Sequence, residues 1–214
     1  MKRLLVILLA VYLAVGCFAH RGPEPFHYIN AGGYSPVPLK VISIYMDKNF
    51  GEADKLAIDD AITQWNYALN GYVKLRVVNY RFDMEPEIIK QCLLDNCWLV
   101  MKTDSSNSMV TELDKTKHGK SYTLAWANAI GGNRMWMIRD RMYNQWVMGI
   151  ALHEMGHLLG AQHDDVYLMQ PMFNWAEARC VDYEALRRVA AYQHLPMGNL
   201  NYCIYGDSVY NREP

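Results

Sequence analysis

Hydrophobic residues recur along this chain with two different periods, and the periods predict its helices and strands. Residues 52–70 carry apolar side chains on a single helical face, at Ile58, Ala61, Ile62, Trp65 and Leu69. Short apolar or alternating runs predict strands at residues 39–46, 73–78, 98–101, 123–128 and 135–138. Two further helices are predicted nearer the C-terminus.

The first of these helices is predicted at residues 145–159, with Asn144 as its N-cap and Gly160 as its end. The second is predicted at 183–192, and the polar stretch 103–120 is predicted to be a loop. The order β-α-β-β-β-β-α-loop-α indicates one α/β domain with a mixed sheet of about five strands.

The N-terminus has the pattern of an export signal. Lys2 and Arg3 precede an uncharged apolar run at 4–16, which is shorter than the roughly 20 residues that a membrane-spanning helix needs. Residues 14–17 resemble a bacterial lipobox, which would place a lipid on Cys17; cleavage after residue 19 for ordinary secretion is the alternative. We expect a signal peptide at 1–16, a Pro-rich and Gly-rich tether at 17–38, and the folded domain at 39–214.

Composition narrows the classes of function. The 214 residues are 51% hydrophobic, which excludes wholesale disorder. Lysine and arginine number 21 against 22 acidic residues, so the net charge of −1 gives no basic surface for nucleic acid. We expect a monomer that contacts a membrane only through the N-terminal lipid.

The cysteines predict disulfides. Without Cys17 four remain, and an even set in an exported protein suggests two bonds. Pairing between sequence neighbours, Cys92–Cys97 and Cys180–Cys203, is the most economical of the three possible connectivities, between which the sequence does not decide.

Three histidines within eleven residues carry the candidate chemistry. His153 and His157 are four residues apart and so share one helical face. Gly160 ends the helix, after which the chain can turn back and bring His163 to the same point. Glu154 lies about 100° around the helix from His153, within reach of a water on the metal. Three imidazoles and one open position are the composition of a catalytic zinc site.

The full spacing, His-Glu-x-x-His-x-x-Gly-x-x-His over 153–163, resembles the signature of the metzincin zinc endopeptidases. Leu168-Met169-Gln170-Pro171 is similar to the Met-turn of the matrixin branch, the matrix metalloproteinase-like enzymes. The resemblance implies a single metzincin-like catalytic domain with an active-site helix, a Met-turn at Met169 and a C-terminal helix. It also implies one Zn²⁺ on the three histidines and Glu154 as the general base.

The resemblance extends to the region that would bind substrate. Residues 122–127, ahead of Gly131-Gly132, are similar to the matrixin edge strand, which pairs with an extended peptide. It implies substrate contacts from Leu124, Ala125, Trp126 and Ala127, and a specificity-pocket wall from Pro171, Met172 and Phe173. Asp164 departs from the usual matrixin Ser, and no second zinc cluster or calcium loop is evident, so subfamily, calcium requirement and substrate stay open.

The expected function is hydrolysis of peptide bonds in a protein or peptide substrate outside the cytoplasm, by a lipoprotein or a secreted enzyme. A zinc amidase acting on cell-wall or acyl-amide substrates is one alternative. A non-enzymatic surface lipoprotein that retains the fold is another, although a binding module has no need of a general base such as Glu154.

Overall fold

The computed structural model describes residues 26–33, 37–83, 85–94, 97–116, 122–164, 167–171 and 178–205. The chain divides into two compact units. One comprises residues 28–203, and of the other, formed by 1–27 and 204–214, the structure describes residues 26–27 and 204–205. The predicted signal peptide and Cys17 lie outside the described residues.

The elements follow in chain order. The strands are β1 (Phe26–Ile29), β2 (Lys40–Asp47), β3 (Val73–Phe82), β4 (Trp98–Thr103), β5 (Ala125–Ala127), β6 (Arg134–Ile138) and β7 (Tyr202–Tyr205). The helices are α1 (Glu52–Ala68), α2 (Pro86–Leu94), α3 (Ser108–Thr116), α4 (Val147–Leu159) and α5 (Tyr183–Gln193).

Five of the strands form one mixed sheet in the order β3-β2-β4-β6-β5. All neighbours are parallel except β5, which runs antiparallel to β6 at the edge of the sheet. Trp126 of β5 lies opposite Trp136 of β6, and their rings stack with centroids 5.0 Å apart. The predicted α/β class, the mixed sheet of about five strands and the C-terminal helix are confirmed.

Helix α4 is the buried centre of the domain. All thirteen of its residues are buried, and apart from His153, Glu154 and His157 they are apolar or glycine. Helix α1 packs against it, and the indole Nε1 of the fully buried Trp65 donates a hydrogen bond to the Leu152 carbonyl of α4 at 2.9 Å. The side chains of α4 are therefore held in fixed positions by the core around them.

Two local predictions need correction, and one helix was missed. Residues 108–116 form helix α3 rather than a loop, and the Asn107 side chain accepts a hydrogen bond from the Met109 amide at its start. Helix α4 begins at Val147 because residues 144–146 form a 3-10 turn, and the Asn144 side chain accepts from Arg139 instead of capping the helix. Helix α2 was not predicted from the sequence.

Two cross-links and a small sheet complete the fold. Disulfides join Cys92 to Cys97 and Cys180 to Cys203. Strand β1, within the stretch expected to be a tether, forms a two-stranded sheet with β7. Within the described part of the chain, no helix has both the length and the apolar character to cross a membrane.

Candidate metal centre

The end of helix α4 determines where the three histidines lie. His153 and His157 are buried one helical turn apart, with ring centroids separated by 4.7 Å. Gly160 then adopts φ +112°, a left-handed conformation that ends the helix. The ring of Tyr192 occupies the space beside it, since a Cβ on Gly160 would lie 2.1 Å from the Tyr192 Cγ. The chain reverses there and brings the exposed His163 back to the helix.

The three imidazoles converge on one point. The Nε2 atom of His163 lies 3.1 Å from Nε2 of His157 and 3.3 Å from Nε2 of His153. Three nitrogens bound tetrahedrally to one zinc ion at 2.0–2.1 Å would stand about 3.3 Å apart. The cluster can therefore hold a metal ion, and the two separations from His163 are close to those of a tetrahedral site.

Backbone carbonyls fix the orientation of the two buried rings. His153 Nδ1 lies 2.6 Å from the Leu168 carbonyl oxygen, and His157 Nδ1 lies 2.8 Å from that of Ala161. A carbonyl only accepts hydrogen bonds, so we assign the ring proton to Nδ1 in both cases. The lone pair of each Nε2 then faces the centre of the cluster, as metal binding requires.

Burial also keeps these rings neutral. Loss of hydration, with the nearby His157 and His163, lowers the pKa of His153 to about 3 against the hydrogen bond to Leu168. The pKa of His157 falls to about 4 for the same reason, opposed by its bond to Ala161. Both imidazoles are thus in the form that binds metal at neutral pH.

Asp182, at the start of helix α5, positions Leu168 next to the histidine cluster. The Leu168 amide donates to Asp182 Oδ2 at 3.0 Å, and the Ala185 amide donates to Asp182 Oδ1 at 3.0 Å. Asp182 therefore caps α5 and at the same time positions the residue whose carbonyl orients His153. Burial raises the pKa of the Asp182 carboxyl to about 6, and the backbone hydrogen bonds that the carboxyl accepts oppose the shift.

Met169 and Asp164 lie in the same loop. Met169 is fully buried, and a Cβ on Gly156 of α4 would lie 2.7 Å from its Sδ, so this glycine permits the close packing. The Asp164 amide donates to the Met169 carbonyl at 3.0 Å, and Asp164 Oδ2 lies 3.2 Å from Arg188 Nε. Asp164 thus belongs to the packing of the loop against α5.

The remaining predicted site residues are placed as follows. Glu154 is buried in α4, directly after His153. Leu124 lies half-buried just before β5, and the edge strand contains Ala125, Trp126 and Ala127 and packs beside α4. Pro171 is exposed, and Met172 and Phe173 lie outside the described residues.

Sequence reasoning missed the groups that support the histidines. The carbonyls of Ala161 and Leu168 leave no trace in residue type, because any residue supplies a carbonyl. Gly131, whose amide donates to the His157 carbonyl at 2.8 Å, was noted only as part of a glycine pair. Asp182 had a detectable signal, because an aspartate directly before a predicted helix is a typical N-cap.

Fold and site together define an α/β domain with a three-histidine candidate metal centre on a buried helix. No family model and no curated protein matches the sequence. Among solved structures, the chain is similar to metalloproteinase-II from Bacteroides fragilis, with 17% sequence identity and a TM-score of 0.45. The match covers 80% of this chain and 59% of that protein, so this chain spans less than two thirds of it. Similarity at this level says nothing about activity.

Proposed function

We propose that this protein is an exported zinc-dependent endopeptidase. The convergence of three imidazole Nε2 atoms, two of them on rings oriented by backbone carbonyls, carries the proposal. No cysteine among the described residues belongs to the cluster, and three protein ligands with one open position are typical of catalytic rather than structural zinc. The resemblance of residues 153–171 to the metzincin signature adds the reaction type.

The residues of this chain then have separate roles. His153, His157 and His163 hold the ion, which supplies a Lewis acid that activates water near neutral pH. Glu154 accepts a proton from the attacking water and delivers it to the leaving amine nitrogen. The burial of Glu154 in α4 holds the carboxylate in place during both transfers.

Substrate and location complete the proposal. An extended peptide pairs with the open edge of β5, in the manner of strand addition. The N-terminal segment directs export, and lipid on Cys17 anchors the protein to a membrane. Replacing that cysteine in the Cys17→Ser variant should move the protein from the membrane fraction to the soluble fraction; unchanged fractionation would leave ordinary secretion.

The test compares the exported protein with two variants. We expect about one zinc per chain in each, and hydrolysis of a mixed protein substrate that a chelator abolishes and zinc restores. Glu154→Gln should keep the zinc and lose activity by roughly 10²- to 10⁴-fold. His194→Asn is the control, since it replaces a histidine outside the cluster at a left-handed position that asparagine tolerates. Equal activity in the protein and in Glu154→Gln, or folded protein without zinc, would refute the proposal.

A further inference from the structure

The edge strand β5 presents its backbone groups alternately to its neighbour and to the open edge. The Ile138 amide donates to the Leu124 carbonyl at 2.8 Å, and the Asn128 amide donates to the Arg134 carbonyl at 2.9 Å. Even-numbered residues from 124 to 128 therefore turn their N–H and C=O groups toward β6. The odd-numbered residues Thr123, Ala125 and Ala127 turn theirs outward.

Two side chains occupy the outward groups of Thr123. Its amide donates to Asp114 Oδ1 at 3.1 Å, and its carbonyl accepts from Arg141 Nη1 at 3.0 Å. Arg141 and Asp114 are themselves joined, with Nη2 and Oδ2 2.7 Å apart. Asp114 supplies the acceptor and Arg141 the donor that a residue of an added strand would otherwise supply to Thr123.

The Asp114–Arg141 ion pair is mostly buried, which favours one stable arrangement of its two side chains. The side chains of Arg141 and Asp114 are only 17% and 21% exposed, so solvent screens them less than it would a surface pair. The hydrogen bond from Arg141 lowers the pKa of the Asp114 carboxyl, which keeps it charged at neutral pH. The Arg141 guanidinium also lies 5.3 Å from the ring centroid of Tyr122, the residue before Thr123.

The next two outward positions differ. Within the part of the chain that the structure describes, no group hydrogen-bonds to the outward N–H or C=O of Ala125 or Ala127. Outward N–H and C=O groups of this kind are those with which an added strand pairs. The edge of β5 is therefore available for pairing at Ala125 and Ala127, whereas at Thr123 the outward groups are already hydrogen-bonded to Asp114 and Arg141.

We infer that the Asp114–Arg141 pair is an end stop for strand addition, so that an extended peptide substrate pairs with Ala125 and Ala127 but not with Thr123. This inference rests on the proposed function. It makes Asp114 and Arg141 positioning residues that limit how many substrate residues the edge can bind. Substrate residues that extend past Ala125 toward Thr123 therefore gain no backbone hydrogen bonds from the edge strand.

Amide hydrogen exchange in the full-length protein tests the stop without any substrate. We expect slow exchange at Thr123 and fast exchange at Ala125 and Ala127. In the Asp114→Ala/Arg141→Ala variant, Thr123 should exchange as fast as the two alanines. Fast exchange at Thr123 in the unmodified protein would overturn the inference, whether or not the variant folds.

Peptide length tests the consequence for substrate. A cleaved peptide is lengthened residue by residue at each end in turn, and kcat/KM is measured for each length. For the unmodified protein, kcat/KM should stop rising at the length that reaches Ala125. In the double variant, two further residues should raise it roughly threefold, through KM rather than kcat, because one or two more hydrogen bonds form.

Glu112→Gln is the matched control, since it breaks the exposed Glu112–Lys115 pair in the same helix and should leave the length profile unchanged. An identical length profile in the folded double variant and the unmodified protein would refute the stop. If the zinc-loaded protein cleaves no peptide, the proposed function fails. The exchange rates still show whether the Thr123 amide is hydrogen-bonded and so unavailable to an added strand.

Discussion

Replacing Asp182 by asparagine should change the pH dependence of stability in a calculable way. Asp182 is 3% exposed, and burial raises the pKa of its carboxyl from the ordinary 3.8 to about 6. A raised pKa means that the charged form is disfavoured in the folded protein. The native carboxyl therefore contributes most favourably below pH 3.8, and that contribution is lost as the pH rises through about 6.

The size of the effect follows from the two pKa values. The full shift corresponds to about 3 kcal/mol. Linkage gives a penalty of about 1 kcal/mol at pH 4.5 and about 3 kcal/mol at pH 7.5. Asp182→Asn removes this penalty, but its amide accepts only one of the two backbone hydrogen bonds, which costs about 1–3 kcal/mol at every pH.

Urea unfolding of the metal-free protein and the variant at both pH values isolates the charge, because the lost hydrogen bond cancels in the difference. Relative to the native protein, Asp182→Asn should be more stable at pH 7.5 than at pH 4.5 by about 2 kcal/mol. A difference that is the same at both pH values, or that favours the native aspartate more at pH 7.5, would refute the reasoning.

Two further perturbations test the packing around the centre. Replacing both Cys180 and Cys203 by serine opens a bond between residues 23 positions apart, and should lower the free energy of unfolding in urea by about 3 kcal/mol; a loss under 1 kcal/mol would contradict this. Gly160→Ala should cost more than about 2 kcal/mol in the same assay, because it forces an alanine to φ +112° and its Cβ into Tyr192. Gly198→Ala, where no atom lies within 4 Å of the added Cβ, should change stability by less than about 0.5 kcal/mol, and a loss equal to that of Gly160→Ala would contradict the steric explanation.

The elements that the sequence predicts well are those whose burial is regular. Helix α1 shows one apolar face, and the strands of the sheet show short apolar runs, so periodicity was sufficient. Helix α3 was missed because it is short and mostly polar, and Val110 is the one buried residue among 108–115, so the stretch lacks the several apolar positions that marked α1.

The candidate site likewise contains residues that the sequence predicts and supporting groups that it does not. The positions of His153, His157 and His163 follow from helix geometry and one glycine, so a linear motif was enough to predict their approach. The carbonyls of Ala161 and Leu168 reach the rings only through tertiary turns, which residue types do not encode. The hydrogen bonds of Asp114 and Arg141 to Thr123 could not be predicted either, because Asp114 precedes β5 in the chain and Arg141 follows β6.

The most direct test of the central claim is X-ray absorption at the zinc edge of the purified, unmodified protein. The three-histidine centre predicts a spectrum with three imidazole nitrogens and one further light atom at about 2.0–2.1 Å from the metal. A spectrum with sulfur at about 2.3 Å, with fewer than three imidazoles, or with no bound zinc in folded protein would contradict it.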